Sequence, residues 1–203
     1  MTARERLILA AERLIAERGA AVPLRDIAAA AGQRNNSAIQ YHFGSRDALI
    51  AAVVELRMAT LEVRRLELLA QRHGDGVHDL LAALVIPMFE LGTRHGIGHY
   101  GRFLEQIRTH PSVTDAANLD AEARTSVRVI MRGLDRALPE LPSRLRLRRL
   151  RTLPTVLFAL LADHERAVEA GTTEAADPAA SGEVVDMLAG VLTAPAVERV
   201  ASR

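Results

Sequence analysis

Residues 24–46 read LRDIAAAAGQRNNSAIQYHFGSR, and the plan of the chain follows from how this stretch divides. Leu24, Ile27, Ala28 and Ala31 recur at helical spacing and run into Gly32, a residue that ends helices by accepting positive φ. The polar run Gln33, Arg34, Asn35 and Asn36 follows, then Ser37; the last three of these are all good N-caps. A second short helix then extends to Gly44, and Ser45 caps a third. Helix, tight polar turn, helix is the helix-turn-helix plan. At about 100° per residue, Ile39 and Phe43 share one face of the second helix, with Ser37, Gln40 and Tyr41 roughly opposite. If the apolar pair is buried, a hydroxyl, an amide and a phenol look outward, groups that suit base edges and phosphates. A plain helical hairpin with a polar outer face has the same spacing, so the spacing alone does not separate the two.

Arg25-Asp26-Ile27-Ala28, then Ala31-Gly32, then Tyr41-His42-Phe43 with Ser45-Arg46-Asp47-Ala48-Leu49, resembles the N-terminal domain of TetR-family transcriptional regulators. The resemblance covers roughly residues 5–50 and lies in the ordered combination of motifs. It implies a DNA-binding head in which Ser37, Gln40, Tyr41 and Asn36 meet bases or phosphates, while Arg25, His42 and Arg46 hold the DNA backbone. Gly32 to Ile39 is one residue longer than the family pattern, and Gln40 stands where an aromatic is common. Which of Arg34, Asn35 and Asn36 meets DNA is therefore left open.

Around this stretch, 203 residues suffice for one large or two small helical domains with a real core. There is no cysteine, hence no disulfide framework and no thiol nucleophile. The N-terminus lacks a signal-peptide core, and the longest apolar runs, such as 80–89, are too short to span a bilayer. The expectation is a cytoplasmic protein with no membrane partner. The net charge of +1 is not a nucleic-acid signature, and all 26 basic residues are arginine, which reads as compositional bias. Any DNA-binding face must come from local clustering.

Upstream, Leu7, Ala10, Ala11, Leu14 and Ile15 predict a first helix over 3–18, closed by Gly19, with Pro23 at the entry to the second. Downstream, an amphipathic pattern from Ser45 to about Arg72 predicts one long helix that joins the head to the rest. Residues 77–95 read as an apolar helix that Pro87 should kink. Further helices are expected over 99–110, 120–138, 143–169 and about 183–193, with Pro154 marking a kink or a displaced start and 171–182 a loop. The sum is an all-α fold of about nine helices: a three-helix DNA-binding head over 1–46, and a larger helical effector-binding and dimerisation domain over 47–203.

Motifs of catalysis are weak. Gly96-Ile97-Gly98-His99-Tyr100-Gly101 has the letters of a dinucleotide-binding fingerprint, with Asp120 near the usual distance. A helix precedes it and no β-rich run is visible, so these glycines read as a loop and no cofactor is expected. His95 and His99 are four apart, but Gly96 and Gly98 make a regular helix between them doubtful, and no metal site is expected. Asp163-His164-Glu165 are neighbours on a helix and point in different directions. The five arginines of 144–151 read first as a solvated face whose stems cover apolar surface. No enzyme is expected.

Two apolar groups remain. Met88, Phe89, Tyr100, Phe103, Met131 and Phe158 fall near the middle of interrupted helices, and with His99 or Arg102 to orient a polar group they are candidate ligand contacts. Leu153, Val156, Leu157, Leu160 and Leu161 form one stripe, and Val184, Met187, Leu188, Val191 and Leu192 another. The resemblance implies that two such helices pair with their two-fold mates as a four-helix bundle. The reading is a ligand-responsive repressor that binds a palindromic double-stranded DNA operator as a homodimer and is released by a small apolar or amphipathic effector of unknown identity. The alternative is an α-helical enzyme or small-molecule carrier whose N-terminal hairpin is structural. A gel shift with the DNA flanking its own gene separates them.

Overall fold

A computed structural model of the chain describes residues 1–33, 37–72, 74–94, 98–115, 124–175 and 177–195, with 92–94 described by backbone alone. Among the described residues all regular structure is helical. The head begins with α1 (Ala3–Arg18), held by a capping box in which Thr2 Oγ1 accepts from the Glu5 amide at 3.1 Å and Glu5 Oε2 accepts from the Thr2 amide at 2.7 Å. Gly19 ends it at φ +89°. Then come α2 (Leu24–Ala30) and α3 (Ser37–Phe43). Ser45 caps the long α4 (Arg46–Gln71), its Oγ accepting from the Ala48 amide at 3.1 Å. The body is completed by α5 (Val77–Arg94), α6 (Tyr100–Gln106), α7 (Pro111–Thr114), α8 (Thr125–Arg136), α9 (Ser143–Glu169) and α10 (Pro178–Thr193).

Among the described residues ten helices stand where about nine were expected. The extra one is the single turn α7, which His110 caps through Nδ1, accepting from the Ser112 amide at 3.2 Å. The last helix starts at Pro178 rather than about 183, because Asp177 supplies the cap at 2.8 Å to the Ala179 amide and Pro178 suits the first turn. Both internal prolines lie within unbroken helices, so Pro154 does not displace the start of α9. A mid-helix proline costs ~3 kcal/mol. Burying Leu150, Leu153 and Leu157 around Pro154, or Leu84, Val85 and Phe89 around Pro87, returns about 1.5–3 kcal/mol per side chain, which outweighs it.

Two apolar cores result. The first joins α1–α4 through Leu7, Ile15, Ile27, Ile39, Leu49 and Val53, and it also takes in Tyr100, Phe103, Leu104 and Ile107 from α6 and the turn after it. The second lies between α5, α8, α9 and α10, around Leu81, Ile130, Leu134, Leu157, Leu188 and Leu192. α6 therefore belongs to both parts, packing on α1 and on α9. Its approach to α9 is close at Gly101, where a Cβ would lie 2.8 Å from Leu161 Cβ and 2.9 Å from the Leu161 carbonyl carbon. Backbone cannot yield as a side chain does, so glycine is needed there.

Candidate DNA-reading face and junction cavity

On α3, Ile39 is buried in the head core and Ala38 and Phe43 pack against that core. The helix therefore has one seated face, and Ser37, Gln40 and Tyr41 are exposed on the other, Tyr41 at 85%. A phenol left this open gains nothing from the fold and is available to a phosphate or base. The ring of Tyr41 meets His42 edge-on at 5.0 Å, and the Arg4 guanidinium covers Phe43 at 5.2 Å from its centroid. Arg25 is exposed, beside Asp26 at 3.5 Å. Arg46 is half-buried, and its Nη1 donates to the Ala20 carbonyl at 2.9 Å, tying the start of α4 to the turn before α2. Arg34, Asn35 and Asn36 lie outside the described residues.

A cavity of about 510 Å³ opens where the head meets the body. Its head side is made by Leu9, Ala10, Glu12 and Arg13 of α1, with Ala30 and Ala31 at the end of α2. Met88, Phe89 and Leu91 of α5, His99 and Tyr100 at the start of α6, and Leu161, His164, Glu165 and Val168 of α9 make the other side. The ligand residues expected from the sequence divide evenly. Met88, Phe89, His99 and Tyr100 line the cavity; Arg102, Phe103, Met131 and Phe158 do not. Phe103 is fully buried and stacked on Tyr100 at 6.1 Å, Phe158 packs against both cores, and Met131 packs against the second. The 99–110 segment is helical only from Tyr100 to Gln106, and Arg102, inside that helix, pairs with Glu169 of α9.

The cavity wall is charged, and its two glutamates are both engaged. Arg57 of α4 grips Glu12 of α1 through two hydrogen bonds, 2.7 and 2.9 Å, both side chains buried. Glu165 accepts from the Gly101 and Arg102 amides at 2.8 and 2.9 Å, so one carboxylate of α9 holds the first turn of α6. Burial pushes the Glu165 carboxyl up, against the pull of those two amides and of Arg102. Arg102 reaches Glu169 at 2.6 Å, and its Nη2 donates to His99 Nδ1 at 2.9 Å. A guanidinium only donates, so Nδ1 is the acceptor and the His99 ring is neutral with its proton on Nε2. Burial, with Arg102 beside it, likewise lowers the His99 pKa.

Two family models match: that described as bacterial regulatory proteins, tetR family, over residues 7–53, and that described as tetracyclin repressor-like, C-terminal domain, over residues 82–194. The chain belongs to the TetR family. Among solved structures it is similar to FadR, the fatty acid degradation regulator of Bacillus halodurans, at TM-score 0.56 and 17% identity over 92% of this chain and 97% of that one. A TetR transcriptional regulator from Rhodococcus sp. RHA1 matches at 0.51 and 19%, over 96% and 98% of the two chains. FadR from Bacillus subtilis, solved in complex with stearoyl-CoA, matches at 0.51 and 20%, over 91% and 96%. At these identities the likeness is one of fold. None of the curated proteins matches the sequence. No helix among the described residues is long and apolar enough to cross a membrane.

In this TetR-family chain the two apolar stripes are not left over once the core is filled. Leu153, Leu157, Leu161, Val184, Leu188 and Leu192 are buried within the single chain. The stripes hold α9 and α10 against α5 and α8. What they leave toward solvent is Met187, with half-buried Val156, Leu160 and Val191. The arginines of α9 are partly tied down: Arg146 bonds Asp135 at 2.6 Å, and Arg149 donates to the Leu192 carbonyl at 2.7 Å. Sequence reasoning missed Glu12, Arg57, His164 and Glu165 as cavity residues. A charge at regular helical spacing looks like any solvated charge until its partner, 45 residues away for Glu12 and Arg57, is known.

Proposed function

We propose that this chain is a ligand-responsive transcriptional repressor, binding a palindromic operator as a homodimer and released by a small amphipathic effector. Residues 1–46 form the head that reads DNA, and 47–203 sense the effector and pair the protomers. The observation that carries the reading is the polar, exposed outer face of α3 on a head of TetR type. Gln40 and Tyr41 meet bases or phosphates from it, with Ser37 at its start. Arg25 and His42 hold the DNA backbone. Arg46 steadies the turn behind them through Ala20, and its expected contact with DNA is part of the same proposal. One such helix meets few base pairs; two copies spaced by about 34–36 Å, or a multiple of it, read a palindrome.

Fluorescence anisotropy with the DNA flanking its own gene tests this. Affinity should fall steeply with salt, since each neutralised phosphate releases close to one counterion. Gln40→Ala should lose about 1–3 kcal/mol and blur one base position. Binding to this DNA no tighter than to random duplex would overturn the proposal, and an unchanged sequence preference in the variant removes Gln40 from direct readout.

The dimer is assigned to the outward edge of α9 and α10. Met187→Glu leaves the buried residues untouched and puts a charge where two copies would meet. It should give helical monomers with far weaker operator binding, read by sedimentation. A wild-type monomer at micromolar concentration would refute the pairing. The effector side is supported by the amphipathic lining of the junction cavity and by the stearoyl-CoA that Bacillus subtilis FadR binds. A coupling of about 1–3 kcal/mol between effector and DNA is the usual size for such a switch.

A further inference from the structure

The outward edge of α9 and α10 is basic where α9 starts and acidic where α10 starts. Arg144, Arg148 and Arg151 are exposed on the first turns of α9, around Leu147, which is itself 50% exposed. Arg146 and Arg149 are held by Asp135 and by the Leu192 carbonyl, but no carboxylate pairs with the other three among the described residues. On α10, Glu183 and Asp186 are exposed just before Met187. Glu183 has no cation against it among the described residues, and Asp186 meets only His78, at 3.4 Å and open to solvent.

Within one chain these two charged ends are kept apart. Arg149 reaches the Leu192 carbonyl at 2.7 Å, so the start of α9 lies beside the end of α10 and the two helices run antiparallel. From Leu192 back to Glu183 is nine residues of helix, about 13 Å at 1.5 Å per residue. A second copy can bring the ends together. A two-fold normal to the helices sets the start of α9 on the start of the other copy's α10, arginine on glutamate. A two-fold along the helices sets arginine on arginine, which like charges oppose.

We infer that two copies pair through this edge about a two-fold normal to α9 and α10, with Arg148 of each copy meeting Glu183 of the other. The inference rests on the dimeric reading above and fixes its geometry. The register agrees with an independent feature of the surface. The axis must pass midway between Arg148 and Glu183 along the helices, four to five residues from each, which is the level of Met187 on α10. The exposed apolar side chain of α10 thus lies at the centre, and the exposed Thr152 and Thr155 of α9, at the same level, are small enough for close approach. An apolar centre between two charged ends is the usual anatomy of such an interface.

Sedimentation equilibrium on the full chain without DNA tests it. Arg148→Glu and Glu183→Arg should each raise the dimer Kd about tenfold or more, since each places two like-charge contacts in one symmetric interface. Mixed in equal amounts, the two variants should form a heterodimer near the wild-type Kd, because each copy supplies the charge the other lacks. Both positions are exposed, so each variant should keep the wild-type circular dichroism and melting temperature. A dimer Kd within about threefold of wild type in both variants, no gain on mixing, or a tighter homodimer of Arg148→Glu would each overturn the inference, the last in favour of arginines that face each other. Loss of random-duplex affinity in Arg148→Glu at unchanged dimer Kd would assign these arginines to nucleic acid instead. A wild-type monomer overturns the dimeric reading as well, whereas a dimer indifferent to both variants overturns this register alone.

Discussion

Glu12→Gln should destabilise the chain by about 3–5 kcal/mol, because it leaves the Arg57 guanidinium buried without a counter-charge. Arg57 is 8% exposed and Glu12 3%, so solvent screens neither. Against a total of roughly 5–15 kcal/mol for a domain, this is a large fraction. The damage should be local as well as global, since the pair ties α1 to α4 on the cavity wall. Urea unfolding followed by circular dichroism measures it. The double variant Glu12→Met, Arg57→Met removes both charges and should recover most of the loss, since an apolar pair of similar volume often matches a buried ion pair. A loss below about 1 kcal/mol in the single variant would show that water or another carboxylate compensates Arg57.

Leu188→Asp should abolish cooperative folding altogether. Leu188 is fully buried in the second core, where α10 meets α5 and α9. Truncating such a leucine to alanine already costs about 2–5 kcal/mol, and a carboxylate adds several more unless it is protonated. The same charge one residue earlier, at Met187, falls on a side chain 43% exposed and should be tolerated by the fold. The contrast between neighbours reports the facing of α10. A folded, soluble Leu188→Asp would mean that α10 turns this residue outward. Far-UV circular dichroism and thermal melts on the two variants suffice.

What was legible in the sequence was local. Ser45 as a cap and the glycines at 19, 32 and 44 as ends act within a single turn of backbone, so they follow from residue type and spacing. The two faces of α3 follow equally from period, with Ile39 inside and Tyr41 outside. The ordered motifs of residues 25–49 pointed to the TetR family, and the match over 7–53 and 82–194 bears that out.

What was not legible were choices between partners. An apolar stripe states that something covers it, not whether the cover is the same chain or a second copy. Tertiary packing decided that Leu157 and Leu188 face the protomer's own core while Met187 does not. Proline signals a kink at 87, and a kink or a displaced start at 154, on local grounds; both lie inside unbroken helices, because burial on either side outweighs one missing hydrogen bond. The candidate ligand residues divide between cavity and core for the same reason: Phe103 and Met131 are as apolar as Phe89 and Met88, and only the seating of α6 and α8 turns the first two away from the cavity. The sequence by itself thus determined the all-helical plan, most of the helix ends in the head and the outward face of α3, all set by interactions within a few residues. Only the tertiary structure decided which charges are buried, which stripe is core and where the cavity opens, since each depends on groups brought together from distant parts of the chain.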